Sequence, residues 1–125
     1  MRILVTGGAG FIGSNLVFHW LQHHPQDHVF NLDALTYAGN LLNLKEVEGN
    51  PNYHFLHADL RQPDVVKKIF IENKIAGVLH LAAESHVDRS INGPADFIET
   101  NILGTFHLLE AARAYWGNSP DPRFH

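Results

Sequence analysis

Cysteine is absent from all 125 residues, so no disulfide framework, thiolate nucleophile or Cys-ligated zinc or iron–sulfur site can form. Basic residues are few. Nine Lys and Arg against thirteen Asp and Glu leave a formal net charge of −4, which gives no basic footprint for nucleic acid, and no block of like charge points to a membrane surface. Long apolar runs are missing too: a bilayer span needs about twenty apolar residues, and the most apolar helical stretch is broken by Ser14, Asn15, His19 and Gln22. Met1-Arg2-Ile3-Leu4-Val5-Thr6 runs straight into glycines with no signal-peptide pattern, so a cytoplasmic protein is expected. With 45% hydrophobic and 18% charged residues, residues 1–125 can bury a real core as one domain, and a disordered tail is excluded.

What is present alternates between two periods. Ile3-Leu4-Val5, ended by Thr6-Gly7-Gly8, reads as a strand buried on both faces. Phe11, Ile12, Leu16, Val17, Trp20 and Leu21 then recur at helical spacing up to Pro25. Further strands are expected at residues 28–32, 53–57 and 77–81. Between them lie a short amphipathic helix through Leu41, Leu44 and Val47 and a helix opened by Pro63, whose missing N–H costs nothing in a first turn. Pro94 opens a long helix with Phe97, Ile98, Ile102, Phe106, Leu109 and Ala112 on one face, and its last turn meets Gly117. Phe97, Phe106, Leu108 and Leu109 are expected in the core, with part of this face in a helical interface. The fold class is therefore α/β, a doubly wound parallel sheet with right-handed crossovers. The pattern calls for a fifth strand at Arg123-Phe124-His125, where the chain stops, so the sheet is expected to be cut short at about that point.

Gly7-Gly8-Ala9-Gly10-Phe11-Ile12-Gly13 follows the first strand and opens the first helix, the context that makes a glycine-rich stretch specific for a dinucleotide. Gly7 permits the tight turn, Gly10 lets backbone N–H groups approach a pyrophosphate, and Gly13 lets the helix pack closely on its strand. Asp33 stands twenty residues after Gly13 at the end of the second strand, where a carboxylate accepts hydrogen bonds from the adenosine ribose. A 2′-phosphate would be repelled there and no Arg follows directly, so the pattern favours NAD over NADP. Asp59-Leu60, after the third strand, is placed either to meet the adenine edge or to cap the turn ahead of Pro63.

Thr6 to Gly13 resembles the extended short-chain dehydrogenase/reductase family. The stretches Asp33-Ala34-Leu35-Thr36-Tyr37-Ala38-Gly39-Asn40, Leu81-Ala82-Ala83-Glu84-Ser85-His86-Val87-Asp88-Arg89-Ser90 and Glu99-Thr100-Asn101-Ile102-Leu103-Gly104-Thr105 narrow it, and together they resemble the dTDP-glucose 4,6-dehydratases. The resemblance implies an NAD-binding Rossmann domain and a nucleotide-sugar substrate. It places Phe11 and Ile12 at the cofactor diphosphate, Asp33, Ala34, Leu35 and Thr36 at the adenosine ribose, and Asp59 and Leu60 at the adenine. Leu81, Ala82, Ala83, Glu84 and Ser85 would run along the nicotinamide side with Thr100 nearby, Ser85 also touching the sugar nucleotide. It further implies an internal redox cycle, with hydride leaving C4 of the glucose, water lost across C5 and C6, and hydride returned to C6, as well as a homodimer formed through helices.

Two parts of that machinery have no counterpart. Tyr37, Tyr53 and Tyr115 lack a Lys four residues on, and no Asp-Glu pair occurs, so no catalytic residue is assigned and the chain by itself is expected not to turn over. The ten histidines do not make a metal site: His19 and His23 lack the His-Glu-x-x-His pattern and a third ligand, and a solvated helix end is expected. His86 and Asp88 beside Arg89 fit either acid–base work or an ion-pair and hydrogen-bond cluster ordering a loop, and neither is counted as catalytic; Asn101 is read as a supporting side chain. A UDP-sugar epimerase or decarboxylase of the same family and a non-catalytic NAD-binding module stand as alternatives.

Overall fold

A computed structural model describes residues 1–34, 41–82, 94–117 and 123–124. Five strands, Arg2–Thr6 (β1), His28–Asp33 (β2), Tyr53–His57 (β3), Gly77–His80 (β4) and Arg123–Phe124 (β5), form one sheet in the order β3-β2-β1-β4-β5. Every pairing is parallel, with Ile3 beside Val29 on one side and Gly77 on the other. A parallel sheet needs cover on both faces, and the alternation of side chains along each strand supplies two cores. Ile3, Val5 and Val29 face Val17 and Leu21 of helix Phe11–His23 (α1) and Leu44 of a 3₁₀ helix at Leu41–Val47. Leu4, Phe30, Leu32 and Val78 face Val66, Ile69 and Phe70 of helix Pro63–Asn73 (α2) and Leu108, Ala111 and Ala112 of a helix at Thr105–Trp116.

The chain therefore winds β1, β2, β3 in one direction and then returns across the sheet to lay β4 beside β1. That reversal opens a crevice at the carboxyl ends of β1 and β4, where ligands of such sheets bind. The fold class read from the pattern is confirmed, including β5 at its expected place. β4 is shorter than expected, ending at His80 rather than Leu81.

Two apolar stripes do not pack as expected. Past Pro94–Ile98 (α3) the chain forms a π-helical segment, Glu99–Gly104, before regular helix resumes as Thr105–Trp116 (α4). A π turn inserts a residue and rotates everything after it by about 100° relative to a uniform 3.6-residue period. The face that meets the core becomes Gly104, Leu108, Ala111 and Ala112, small residues that allow close approach. Ile98, Ile102, Phe106 and Leu109 are left 46–61% exposed, so of the residues expected in the core Leu108 is buried and Phe106 and Leu109 are not. The Phe97 side chain lies outside the described residues. In α1, Phe11 and Ile12 are 82% and 68% exposed, because the helix meets the sheet through Gly13, Ser14, Val17 and Leu21 and its first residues stand beyond the sheet's end.

Candidate functional site

Gly7 leaves β1 with φ +73°, a left-handed conformation natural to glycine, and its N–H donates to the Leu32 carbonyl at 2.9 Å. A side chain on Gly7 would lie 2.8 Å from the Ala82 backbone nitrogen. On Gly13 it would collide with the backbone of Gly7 and Gly8. The turn and the helix contact thus demand glycine for the expected reasons, whereas a Cβ on Gly10 would meet nothing nearer than the Gly7 carbonyl oxygen at 3.4 Å, on the open side of the loop. Gly10 caps α1 without a side-chain acceptor, and no acidic residue occupies the first turn. The N–H groups of Phe11, Ile12 and Gly13 therefore crown the positive end of a 13-residue helix, an arrangement that favours an anion.

The loop is held from beneath. Asp33, 8% exposed, accepts the Ala9 N–H at 3.0 Å, while the Asn43 side-chain amide donates to the Ala9 carbonyl at 3.1 Å. The Asn31 side chain is fully buried against Gly8 and donates to the Tyr53 hydroxyl at 3.2 Å. Ala34, next to Asp33, offers its carbonyl to His57 Nε2 at 3.2 Å. Leu35 and Thr36 lie outside the described residues.

Asp59 closes its own turn: one carboxylate oxygen accepts the Arg61 N–H at 2.9 Å and the other accepts Arg61 Nε and Nη2 at 2.9 and 2.6 Å. Burial works to raise its pKa, but the Arg61 bonds outweigh it and hold the carboxyl below its ordinary value. Leu60 is buried under Gly104 and gives its carbonyl to His107 Nδ1 at 2.8 Å.

On the other wall, the N–H groups of Leu81 and Ala82 both donate to Thr6 Oγ1, at 3.1 and 3.2 Å. Thr6 Oγ1 is 2.6 Å from His80 Nδ1, and His80 Nε2 is 2.9 Å from Thr105 Oγ1. Thr100 sits half-buried in the π-helical segment. Ala83, Glu84, Ser85, His86, Asp88 and Arg89 lie outside the described residues. The sequence reading missed Thr6, Asn31, Asn43, His80 and Thr105. For Asn31 and His80 a signal existed, a polar residue inside an otherwise apolar strand, which a parallel sheet tolerates only if it is bonded.

His19 and His23 stack with ring centroids 4.1 Å apart at an exposed helix end. Among the described residues no three His, Asp or Glu come together to hold a metal ion, and no helix is long and apolar enough to cross a membrane. Two other histidines shape the pH response. Burial lowers the pKa of His80, and burial with the neighbouring His28 and Arg2 lowers that of His54. In the unfolded chain both take a proton near pH 6.5. The stability they confer is thus whole above pH 6.5 and is lost as pH falls through their lowered native values. The urea midpoint is expected to be lower at pH 5 than at pH 7.5 with an unchanged slope; a flat midpoint across that range contradicts this.

Residues 4–125 match the family model described as GDP-mannose 4,6 dehydratase. The chain belongs to this dehydratase family. A dTDP-glucose 4,6-dehydratase of Escherichia coli is 60% identical over 116 residues, covering 93% of this chain and 32% of that enzyme. Among solved structures, the dTDP-glucose 4,6-dehydratase of Streptomyces venezuelae with NAD bound gives a TM-score of 0.85 at 46% identity, over 92% of this chain and 36% of that one. The UDP-glucose 4-epimerase of Thermotoga maritima gives 0.81 at 36% identity, over 92% and 35%. The resemblance carried by the motifs is thereby borne out. The dehydratase-family chain spans about a third of the length of the curated relatives it matches.

Proposed function

We propose that these residues form the NAD-binding part of a dehydratase acting on a nucleotide-sugar, dTDP-glucose, to give the 4-dehydro-6-deoxy sugar nucleotide and water. The observation that carries the cofactor reading is the cradle itself: an uncapped helix start above Gly10, whose missing side chain leaves the approach open. Phe11, Ile12 and Gly13 hold the diphosphate through backbone N–H groups, and Asp33, fixed by Ala9, receives the adenosine ribose with Ala34, Leu35 and Thr36 beside it. The Leu60 N–H and Asp59 carboxylate take the adenine edge, with Asp59 exchanging its Arg61 contacts for the base. Leu81, Ala82, Ala83, Glu84, Ser85 and Thr100 line the nicotinamide side, where Ser85 also meets the sugar nucleotide. When bound, NAD supplies the site with a hydride acceptor and donor. The exposed face of Ile98, Ile102, Phe106 and Leu109 supports pairing of two copies through α3 and α4.

The catalytic part of the reading is a negative one. No tyrosine in the sequence has a Lys four residues on, and no Asp-Glu pair occurs, so proton transfer at C4 and elimination have no agent here. The dehydratase reading outranks the epimerase because the dehydratase relative reaches 60% identity and the epimerase structure 36%.

Calorimetric titration with NAD, NADP and dTDP-glucose tests the proposal. One NAD is expected to bind per chain, with NADP at least about tenfold weaker because its 2′-phosphate meets Asp33. No product is expected from dTDP-glucose. Equal affinity for the two dinucleotides removes the role given to Asp33, and turnover by the pure chain removes the inactive reading.

A further inference from the structure

His80 sits where three elements meet at the crevice: it ends β4, it touches the last residue of β1, and it reaches the first residue of α4. The proton inventory around it closes in one way. The Thr105 hydroxyl donates to the Asn101 carbonyl at 2.9 Å, so its oxygen is left to accept, and His80 Nε2 must carry the proton it accepts. On the other edge, Thr6 Oγ1 accepts the Ala82 N–H and shares the Leu81 N–H with the Thr6 carbonyl. With the proton of the neutral ring on Nε2, Nδ1 is bare and takes the Thr6 hydroxyl hydrogen at 2.6 Å. The other neighbour given by the geometry is the Phe124 ring, 6.4 Å away. Burial depresses the His80 pKa, and among the described residues no charged group adds to it.

We propose that His80 is a positioning residue, fixed as the neutral Nε2–H tautomer, that locks the ends of β1 and β4 to the π-helical segment and so sets the nicotinamide side of the crevice. Through Thr6 it fixes the Leu81 and Ala82 amides, and through Thr105 it fixes the turn that bears Thr100 and Asn101. The glycine loop and Asp33 are held by other bonds, so the adenosine half of the site does not depend on it. The tautomer stands without the cofactor reading, whereas the effect on dinucleotide affinity rests on that reading.

Two experiments on the 125-residue chain separate these parts. Nitrogen-15 spectra of the imidazoles at pH 7.5 are expected to show His80 as the neutral Nε2–H tautomer. An Nδ1–H tautomer, or a doubly protonated ring, at that pH overturns the proposal. In Thr105→Val the Nε2–H signal is expected to lose its protection from exchange and in Thr105→Ser to regain it; equal behaviour of the two variants contradicts the bridge. For the second experiment, NAD and ADP-ribose are titrated into wild type and His80→Ala. NAD affinity is expected to fall about tenfold with ADP-ribose affinity within about twofold of wild type. A parallel fall in both, or in neither, overturns the positioning role. If wild type binds neither ligand the cofactor reading fails, and the spectra still decide the tautomer. Thr105→Val, which retains the imidazole, carries the same affinity comparison if His80→Ala does not fold.

Discussion

Gly13→Ala is expected to destabilise the fold by about 3 kcal/mol or more and to weaken NAD binding by over about a hundredfold. The added Cβ would lie 2.7 Å from Gly8 Cα and 2.9 Å from the Gly7 carbonyl carbon, and closer still to the Gly7 oxygen. These are backbone atoms, fixed by the Gly7 N–H bond to Leu32 and the Gly10 N–H bond to the Gly7 carbonyl, so no side chain can swing aside. Relief requires the start of α1 to lift from β1. Overpacking typically costs about 1–3 kcal/mol, and here the displaced element is the one that presents the N–H groups to the diphosphate. Urea unfolding and NAD titration check the two effects. Gly10→Ala is the informative contrast: with 3.4 Å to the nearest atom, it is expected to leave stability within about 1 kcal/mol while reducing NAD affinity, since its methyl projects into the ligand's approach. Similar stability losses in both variants would contradict the separate roles.

Asp33→Ala is expected to act on fold and cofactor together. One carboxylate oxygen holds the Ala9 N–H at 3.0 Å in a buried setting, and removing it leaves that donor unpaired at a cost of about 1–3 kcal/mol. The ribose loses its acceptor in the same change, so NAD affinity is expected to fall by about 30-fold or more, as for loss of a hydrogen bond to a charged group. Asp33→Asn separates the effects. The amide oxygen can keep the Ala9 bond and much of the stability, while the lost charge brings the affinities for NAD and NADP together. If Asp33→Asn preserves the full preference for NAD, charge at this position does not set the selectivity. Thermal melts and paired titrations of both variants supply the measurements.

The strands were legible because apolar runs bounded by Gly, Pro and Asp are what a doubly buried parallel strand must be, and β2 and β3 fall within a residue of their expected ends. The glycine loop was legible for a related reason: Gly7 and Gly13 are required by backbone geometry alone. The helix after Pro94 was not. A fixed period cannot register the residue inserted at Glu99–Gly104, so it places Phe106 and Leu109 in the core, where the structure leaves both exposed. The Thr6–His80–Thr105 bridge escaped because its members are 74 and 25 residues apart in sequence, and only the pairing of β1 with β4 brings them together. Asp59 illustrates the opposite limit, since a carboxylate just past a strand and ahead of Pro63 fits both a turn cap and an adenine contact, and its bonds to Arg61 become visible only in three dimensions.

The two tryptophans are divided between the two faces of the sheet. Trp20 packs against the layer of Ile3, Val5 and Val17 and donates to Asp27 at 3.0 Å; Trp116 packs against the layer of Leu4 and Phe70 and donates to the Ile75 carbonyl at 2.7 Å. Each layer thus carries its own fluorophore. With Trp20→Phe only the α2–α4 side emits as tryptophan, and with Trp116→Phe only the α1 side does. Coincident emission curves would show that one sheet makes both layers melt as a unit, and separated curves would give each layer an optical midpoint of its own.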